Sequence, residues 1–241
     1  MKIIVTAGGT IEPIDDVRNI SNYSTGRMGL TIASFLIEQG VDVLFVATEN
    51  IQRLLPDDQP NLKKYQITDV QSVLQTLEHL LTSEKIDAVI HSMAVSDYTV
   101  YGVCAGEQIE TLFAAPEVNY GQFINQFVPM QNQKLTSSHE DLYLRLIQTP
   151  KIIQYIKKWQ PETILIGFKL LVDADLQQFK EATEKQQHLA SSDFVVANDL
   201  QNISDDVHQT MIFDNGEIIE TANTRSELSE KLWLLIKGVS S

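Results

Sequence analysis

The segment Lys2-Ile3-Ile4-Val5-Thr6-Ala7-Gly8-Gly9-Thr10 decides how the rest of the chain is read. Its first five residues are mostly β-branched, with no charge beyond Lys2, which suits a parallel strand buried on both faces. The run stops at a turn of small residues, Ala7-Gly8-Gly9-Thr10. After a polar stretch, residues 26–40 (GRMGLTIASFLIEQG) read as a helix closed by Gly40 at C′. Residues 41–47 then read as a second buried strand. Strand, helix and strand of these lengths make a βαβ unit, whose crossover is expected to be right-handed.

The rhythm repeats outward from this unit. Residues 63–67 suit a short strand, and Val70, Val73, Leu74, Leu77, Leu80 and Leu81 recur at helical spacing. Further strands are expected at 86–90, 163–168 and 193–197, with a helix over 175–189. Alternation of this kind predicts an α/β fold with a mostly parallel sheet and helices on both faces. From Val100 to Gln133 no clean period holds, and Gly102, Gly106, Pro116, Gly121 and Pro129 punctuate the stretch. A structureless run of that length suits a lid or an interface element. Residues 210–213 and 217–220 flank Asp214-Asn215-Gly216, the signal of an antiparallel hairpin, and Thr224–Lys237 reads as an amphipathic closing helix. The whole, 1–241, is expected as a single domain.

Composition bounds the function. The 241 residues carry a formal charge of -14 and are 43% hydrophobic, enough for a substantial core. Such acidity argues against nucleic acid or an acidic membrane as partner, and an anionic substrate would need local cations or helix N-termini. One cysteine, Cys104, excludes a disulfide framework and a cysteine-based zinc site. No leader pattern opens the chain and no apolar run approaches the ~20 residues of a membrane helix. A cytoplasmic protein is the expectation.

In an open parallel sheet, ligands bind beyond the carboxyl ends of the strands, where Gly8-Gly9-Thr10 lies. Its glycines would let backbone N–H groups approach phosphate; a tight turn that binds nothing is the plain alternative. The G-x-G-x-x-G dinucleotide fingerprint is absent, since Gly26 is the next glycine after Gly9. The polar stretch 12–29 that follows contains Arg18, which can fork onto a phosphate or carboxylate, and Asn22, both donor and acceptor. Ser24-Thr25-Gly26 could cap the helix and present its N-terminus to an anion, or simply be an ordinary helix entry.

These residues, with Met93-Ala94-Val95-Ser96-Asp97-Tyr98, Lys134-Leu135-Thr136-Ser137-Ser138, Gly167-Phe168-Lys169-Leu170 and Val195-Val196-Ala197-Asn198-Asp199, resemble the signature of phosphopantothenoylcysteine synthetases. The resemblance spans nearly the whole chain and is to the single-function bacterial form on a Rossmann-like fold. It implies a ligase of coenzyme A biosynthesis. The carboxylate of 4′-phosphopantothenate would attack the α-phosphate of a nucleoside triphosphate, releasing pyrophosphate. The amine of L-cysteine would then attack the acyl-nucleotidyl anhydride and release the nucleoside monophosphate. Magnesium on the triphosphate would help neutralise charge.

By the resemblance, Gly8, Gly9 and Thr10 match the phosphate loop, Asn22 the asparagine associated with the acyl intermediate, and Arg18 the arginine needed for its conversion. Asp173 matches the aspartate beside base and ribose, and Asn198 the asparagine ending the next strand. Ala94, Val95, Ser96 and Asp97 would line the phosphopantothenate side. Lys134 would belong to a flap at 100–138 that closes over the site of a dimer partner. Two departures stand out. The family's two helix lysines leave only Lys185 here, and Lys169-Leu170 replaces the small alanines of the common bacterial type. The layout favours CTP, whereas Lys169-Leu170 keeps ATP open; the metal's protein ligands are unassigned. Two rivals are a short-chain NAD(P) oxidoreductase, which lacks its Tyr-x-x-x-Lys pair here, and a non-catalytic nucleotide-binding module. His79, His91, His139, His188 and His208 show no metal spacing and read as surface or structural residues; Trp159 and Trp233 read as packing residues.

Overall fold

The computed structural model describes residues 1–115, 117–129, 138–204 and 207–239. In chain order it contains β1 (Lys2–Ala7), β2 (Ile11–Pro13), β3 (Asn19–Ser21), α1 (Arg27–Glu38), β4 (Asp42–Ala47), α2 (Glu49–Gln52) and β5 (Leu62–Gln66). These are followed by α3 (Val70–Ser83), β6 (Ala88–His91), β7 (Tyr98–Ala105), α4 (Gly106–Phe113), α5 (Tyr120–Ile124) and β8 (Leu142–Gln148). The chain ends with α6 (Ile153–Trp159), β9 (Ile164–Leu171), α7 (Leu176–Ala190), β10 (Phe194–Asp199), β11 (Thr210–Asp214), β12 (Glu217–Ala222) and α8 (Arg225–Val239).

Eight strands form one sheet in the order β12-β11-β10-β9-β6-β1-β4-β5. The six from β5 to β10 run parallel, while β11 and β12 close one side as an antiparallel hairpin. Strand alternation divides the core in two. Ile3, Val5, Ile90 and Ile166 pack with Ile32, Leu36, Leu228 and Leu232 of α1 and α8. Ile4, Val89 and Leu165 face Val73, Leu77 and Ile156 of α3 and α6. Phe179 on α7 covers Ala197 and Phe213 on that second face. Helices α3, α5 and α7 start on side-chain caps: Asp69 Oδ1 accepts from Ser72 N at 2.8 Å, Asn119 Oδ1 from Gln122 N at 3.0 Å, and Asp175 Oδ1 from Gln178 N at 2.8 Å.

The chain runs from β1 outward to β4 and β5, then returns across β1 to begin β6, β9 and β10. Strand order therefore reverses between β1 and β6, the place where open α/β sheets hold ligands. The pairing of β6 with β9 ends at His91–Gly167, whereas β9 and β10 stay paired to Leu171–Asp199. Phe168 to Leu171 thus stand above the sheet with one edge open. The expected strand at 163–168 ends short of Leu171: the last residues of β9 are only partly covered, and Lys169 interrupts the apolar run.

One further expectation is corrected. The described part of residues 100–133 is not structureless, because β7 pairs with β8 as a separate two-stranded arm and α4 and α5 follow β7. The period is hidden by a register shift at Val100–Gly102 and by Gly102 itself, where a Cβ would meet Val128 O at 2.5 Å. The expected entry Ser24-Thr25-Gly26 does lead into α1, and Arg27 N donates to Thr25 Oγ1 at 3.4 Å. Gly26 takes the cap position at φ 67°, a left-handed conformation suited to glycine, with no side-chain cap.

Candidate active site

The turn after β1 is bonded to the turn after β6 by backbone. Ala94 N donates to Gly8 O at 2.9 Å, and Thr10 N donates to Ala94 O at 3.1 Å. Buried Thr10 and Ser96 lock the next layer: Ser96 N donates to Thr10 Oγ1 at 2.9 Å, and the two hydroxyls lie 2.9 Å apart. The segment 19–26 returns across this ledge, and Asn22 Nδ2 donates to Val95 O at 3.2 Å. A Cβ on Gly9 would sit 2.9 Å from Asn22 O, so glycine permits that approach. Gly8, Gly9, Thr10, Asn22 and Ala94 to Ser96 are thereby brought together. Asp97 leaves the group by its side chain, which pairs with Lys151.

Arg18 is held from below. The Asp15 side chain is fully buried, and its Oδ2 accepts from Arg18 Nε at 3.0 Å and Nη2 at 2.7 Å. Its Oδ1 accepts from the backbone N of Val17 and Arg18 at 2.9 and 2.7 Å. Glu12, also buried, accepts from Val70 N at 2.9 Å and ties the same loop to the start of α3. Two acidic residues in this polar stretch are therefore structural ties, and Arg18 is held through the Nε–Nη2 edge of its guanidinium.

Beyond this ledge a cleft of about 310 Å³ opens on the α1 and α8 side of the sheet. Its floor includes Gly26 to Gly29 and Ala94; Phe168 and Leu170 form one wall, and Asn198, His208 and Arg225 another. A Cβ on Gly29 would come within 2.6 Å of Ala7 Cβ and 2.8 Å of Thr6 O, so only glycine seats the first turn of α1 this low on β1. That turn presents its positive dipole end to the cleft. A larger depression of about 690 Å³ lies between the C-terminus of α7 and the β11–β12 turn. It sits at the opposite end of the strands from the glycine turn, so position favours the smaller cleft.

The remaining expected residues divide. Asn198 lines the cleft. Asp173 lies at φ 52° in the turn after β9, and that turn is pinned to the end of β10: Ala174 N and Asp173 N donate to the Asp199 carboxylate at 3.0 and 3.2 Å. The N–H groups of Ala174, Gln201 and Asp173 hold the Asp199 carboxyl below its ordinary range. Lys169 alternates with Phe168 and Leu170, so it faces the α7 side of the sheet and not the cleft. Lys185 is exposed on α7, on that same side. Lys134 lies outside the described residues. Sequence reasoning missed His208, Arg225 and Phe168. No motif marks the first two, which reach the cleft only because β11 and α8 return to it.

An open sheet with a strand-order reversal, a glycine ledge and a helix N-terminus at one cleft defines an α/β ligand-binding protein of the Rossmann-like class. Sequence comparison carries this further: residues 1–108 and 126–238 match the family described as DNA/pantothenate metabolism flavoprotein C-terminal domain, and the chain belongs to it. A DNA/pantothenate metabolism flavoprotein from Streptococcus pneumoniae has a structure of TM-score 0.86 at 35% identity, covering 99% of both chains. The coenzyme A biosynthesis bifunctional protein CoaBC of Thermococcus kodakarensis is 29% identical over 96% of this chain. Phosphopantothenate–cysteine ligase 2 of Oryza sativa subsp. japonica is 26% identical over 95% of this chain and 77% of its own length. The chain spans about half the length of the bifunctional relatives, 50% in the Thermococcus protein.

Proposed function

We propose that the chain joins 4′-phosphopantothenate to L-cysteine through an acyl-nucleotidyl intermediate, releasing pyrophosphate and a nucleoside monophosphate. The observation that carries this reading is the placement of Asn22 on the Ala94–Ser96 ledge beside the Gly8–Gly9 turn. The names of the relatives are consistent with it. A carboxylate resists attack by an amine until one oxygen becomes a good leaving group, so the work is positioning and charge neutralisation. The triphosphate would lie along the N-terminus of α1 and the Gly8–Thr10 turn, with Arg27 supplying a cation to an otherwise acidic chain. Asn22 would hydrogen-bond the acyl group, and Arg18, braced by Asp15, would act on its conversion. Ala94 to Asp97 would bind phosphopantothenate, and Asp173 and Asn198 the nucleoside. Magnesium would enter with the triphosphate and neutralise part of its charge. CTP is the favoured nucleotide and ATP the alternative. Lys169 and Lys185 keep a role only toward phosphates extending over the α7 side.

The arm formed by β7 and β8 is proposed as the dimerisation element within a single ligase domain. It leaves Tyr98, Leu142 and Leu146 exposed on one face and Tyr143 and Ile147 on the other, apolar surface that a second copy would cover. No helix among the described residues is long and apolar enough to cross a membrane.

The experiment is pyrophosphate release by the purified chain with 4′-phosphopantothenate, cysteine and magnesium, supplying CTP and ATP separately. Release that depends on phosphopantothenate is the expected result. Asn22→Ala should lower it by about 100-fold or more, the scale of losing a donor to a developing charge. Saturable nucleotide binding without release would leave a binding module as the account.

A further inference from the structure

His208 is the histidine that opens onto the cleft. It sits on the return from β10 to β11, where its backbone N donates to Asn223 O at 2.8 Å and it bridges Ile203. The residue is 8% exposed, and Nδ1 is buried without a hydrogen-bond partner. Burying an unpaired polar nitrogen is costly, so such a group calls for an explanation. Burial first, and the neighbouring Arg225 charge second, push the imidazole down to about 4, so it is neutral at pH 7. A neutral ring carries one donor and one acceptor. Asn198, 7% exposed on the same cleft, also offers one of each kind. Phe168 and Leu170, on the open edge of β9, add an apolar wall.

Phosphates call for positive charge, which Arg27 and the dipole of α1 provide at one end of the cleft; at the other end the Arg225 guanidinium beside His208 is engaged by Ser204 O at 3.3 Å. Two neutral donor–acceptor groups against an apolar wall suit instead the edge and face of a planar heterocycle. We infer that His208 is a specificity-determining residue that hydrogen-bonds the base of the nucleoside triphosphate held in this cleft. The inference rests on the ligase reading, and it distinguishes bases because an imidazole and an amide at fixed positions match one edge pattern better than another.

The test uses the full chain with CTP and ATP, each with magnesium, in equilibrium binding and in steady-state kinetics. His208→Ala should weaken binding of the preferred nucleotide and raise its KM by about 10-fold, the scale of one buried hydrogen bond. It should narrow the ratio between the two nucleotides, while kcat and the KM values for phosphopantothenate and cysteine stay near wild type. His208→Gln, which keeps a donor and an acceptor, should recover much of the loss, and the wild-type His208 ring resonances should shift when nucleotide binds. Unchanged affinity and preference in the Ala variant, or equal loss of both nucleotides with Gln no better than Ala, would overturn the assignment. If His208→Ala does not fold, the Gln variant and the ring resonances decide the question. A wild-type chain that binds neither nucleotide would overturn the ligase reading and this inference together; binding that leaves His208 unaffected overturns only the inference.

Discussion

The eight-stranded sheet and the two-stranded arm draw on similar residues and end up differently covered. Ile3, Ile4 and Val5 of β1 are 0% exposed, because α1 and α8 lie on one face and α3 and α6 on the other. In the arm, Leu142, Tyr143, Leu146 and Ile147 of β8 are 37–45% exposed, and among the described residues Cys104, Ile109 and Phe127 form a small core beneath β7. Apolar content is therefore a poor guide to what a strand buries; what decides is the number of layers packed against it. The ledge joins the two regions, since Thr10 and Ser96 belong to the sheet's end, and Thr149 N, at the arm's root, donates to Asp97 O at 3.0 Å.

The contrast predicts a graded set of effects. Ile90→Ala, in the middle of the sheet, should cost about 3–5 kcal/mol in denaturant unfolding, because strands on both sides prevent the cavity from collapsing. A cost below about 1 kcal/mol would show the sheet to be as yielding as the arm. His91 gives the next largest effect. It is buried at the end of β6 with Nδ1 3.1 Å from Thr6 Oγ1, and burial pushes it down to about 4. The unfolded chain binds the proton more readily, so its contribution is full above pH 6.5 and is lost as pH falls from there through 4. His91 should lower the unfolding free energy across that window by up to roughly 3 kcal/mol, and His91→Asn should remove that share while leaving the part due to His208, which is pushed down to about 4 as well. The smallest effect belongs to the arm. Leu146→Ala should change the stability of the isolated chain by no more than about 0.5 kcal/mol, as surface replacements do. Sedimentation equilibrium should nonetheless show weaker self-association, and a large stability loss with unchanged association would contradict the proposed role of the arm.

Much of this was legible in the residues. β1, α1 and β4 follow from an uncharged β-branched run, a helical period and Gly40, because burial on two faces leaves a dense apolar signal. The ledge was legible as a motif, since glycines and small polar residues are what a close backbone approach requires. The arm was not, because its strand is interrupted at Gly102 and its exposed side carries no alternation. His208 and Arg225 could not be seen as a pair. They lie on different elements, and neither sits in a motif that marks a site.

The sequence by itself determined the α/β rhythm, the glycine turn after β1 and the polar stretch that carries Arg18 and Asn22, because each is written in local spacing and local chemistry. Only the tertiary structure decided which side of β9 faces the cleft, turning Lys169 away and Phe168 inward, and which distant residues complete its wall. The physical reason is that one step along a strand reverses a side chain's face, and the return of β11 and α8 to the strand ends is fixed by packing across the whole sheet.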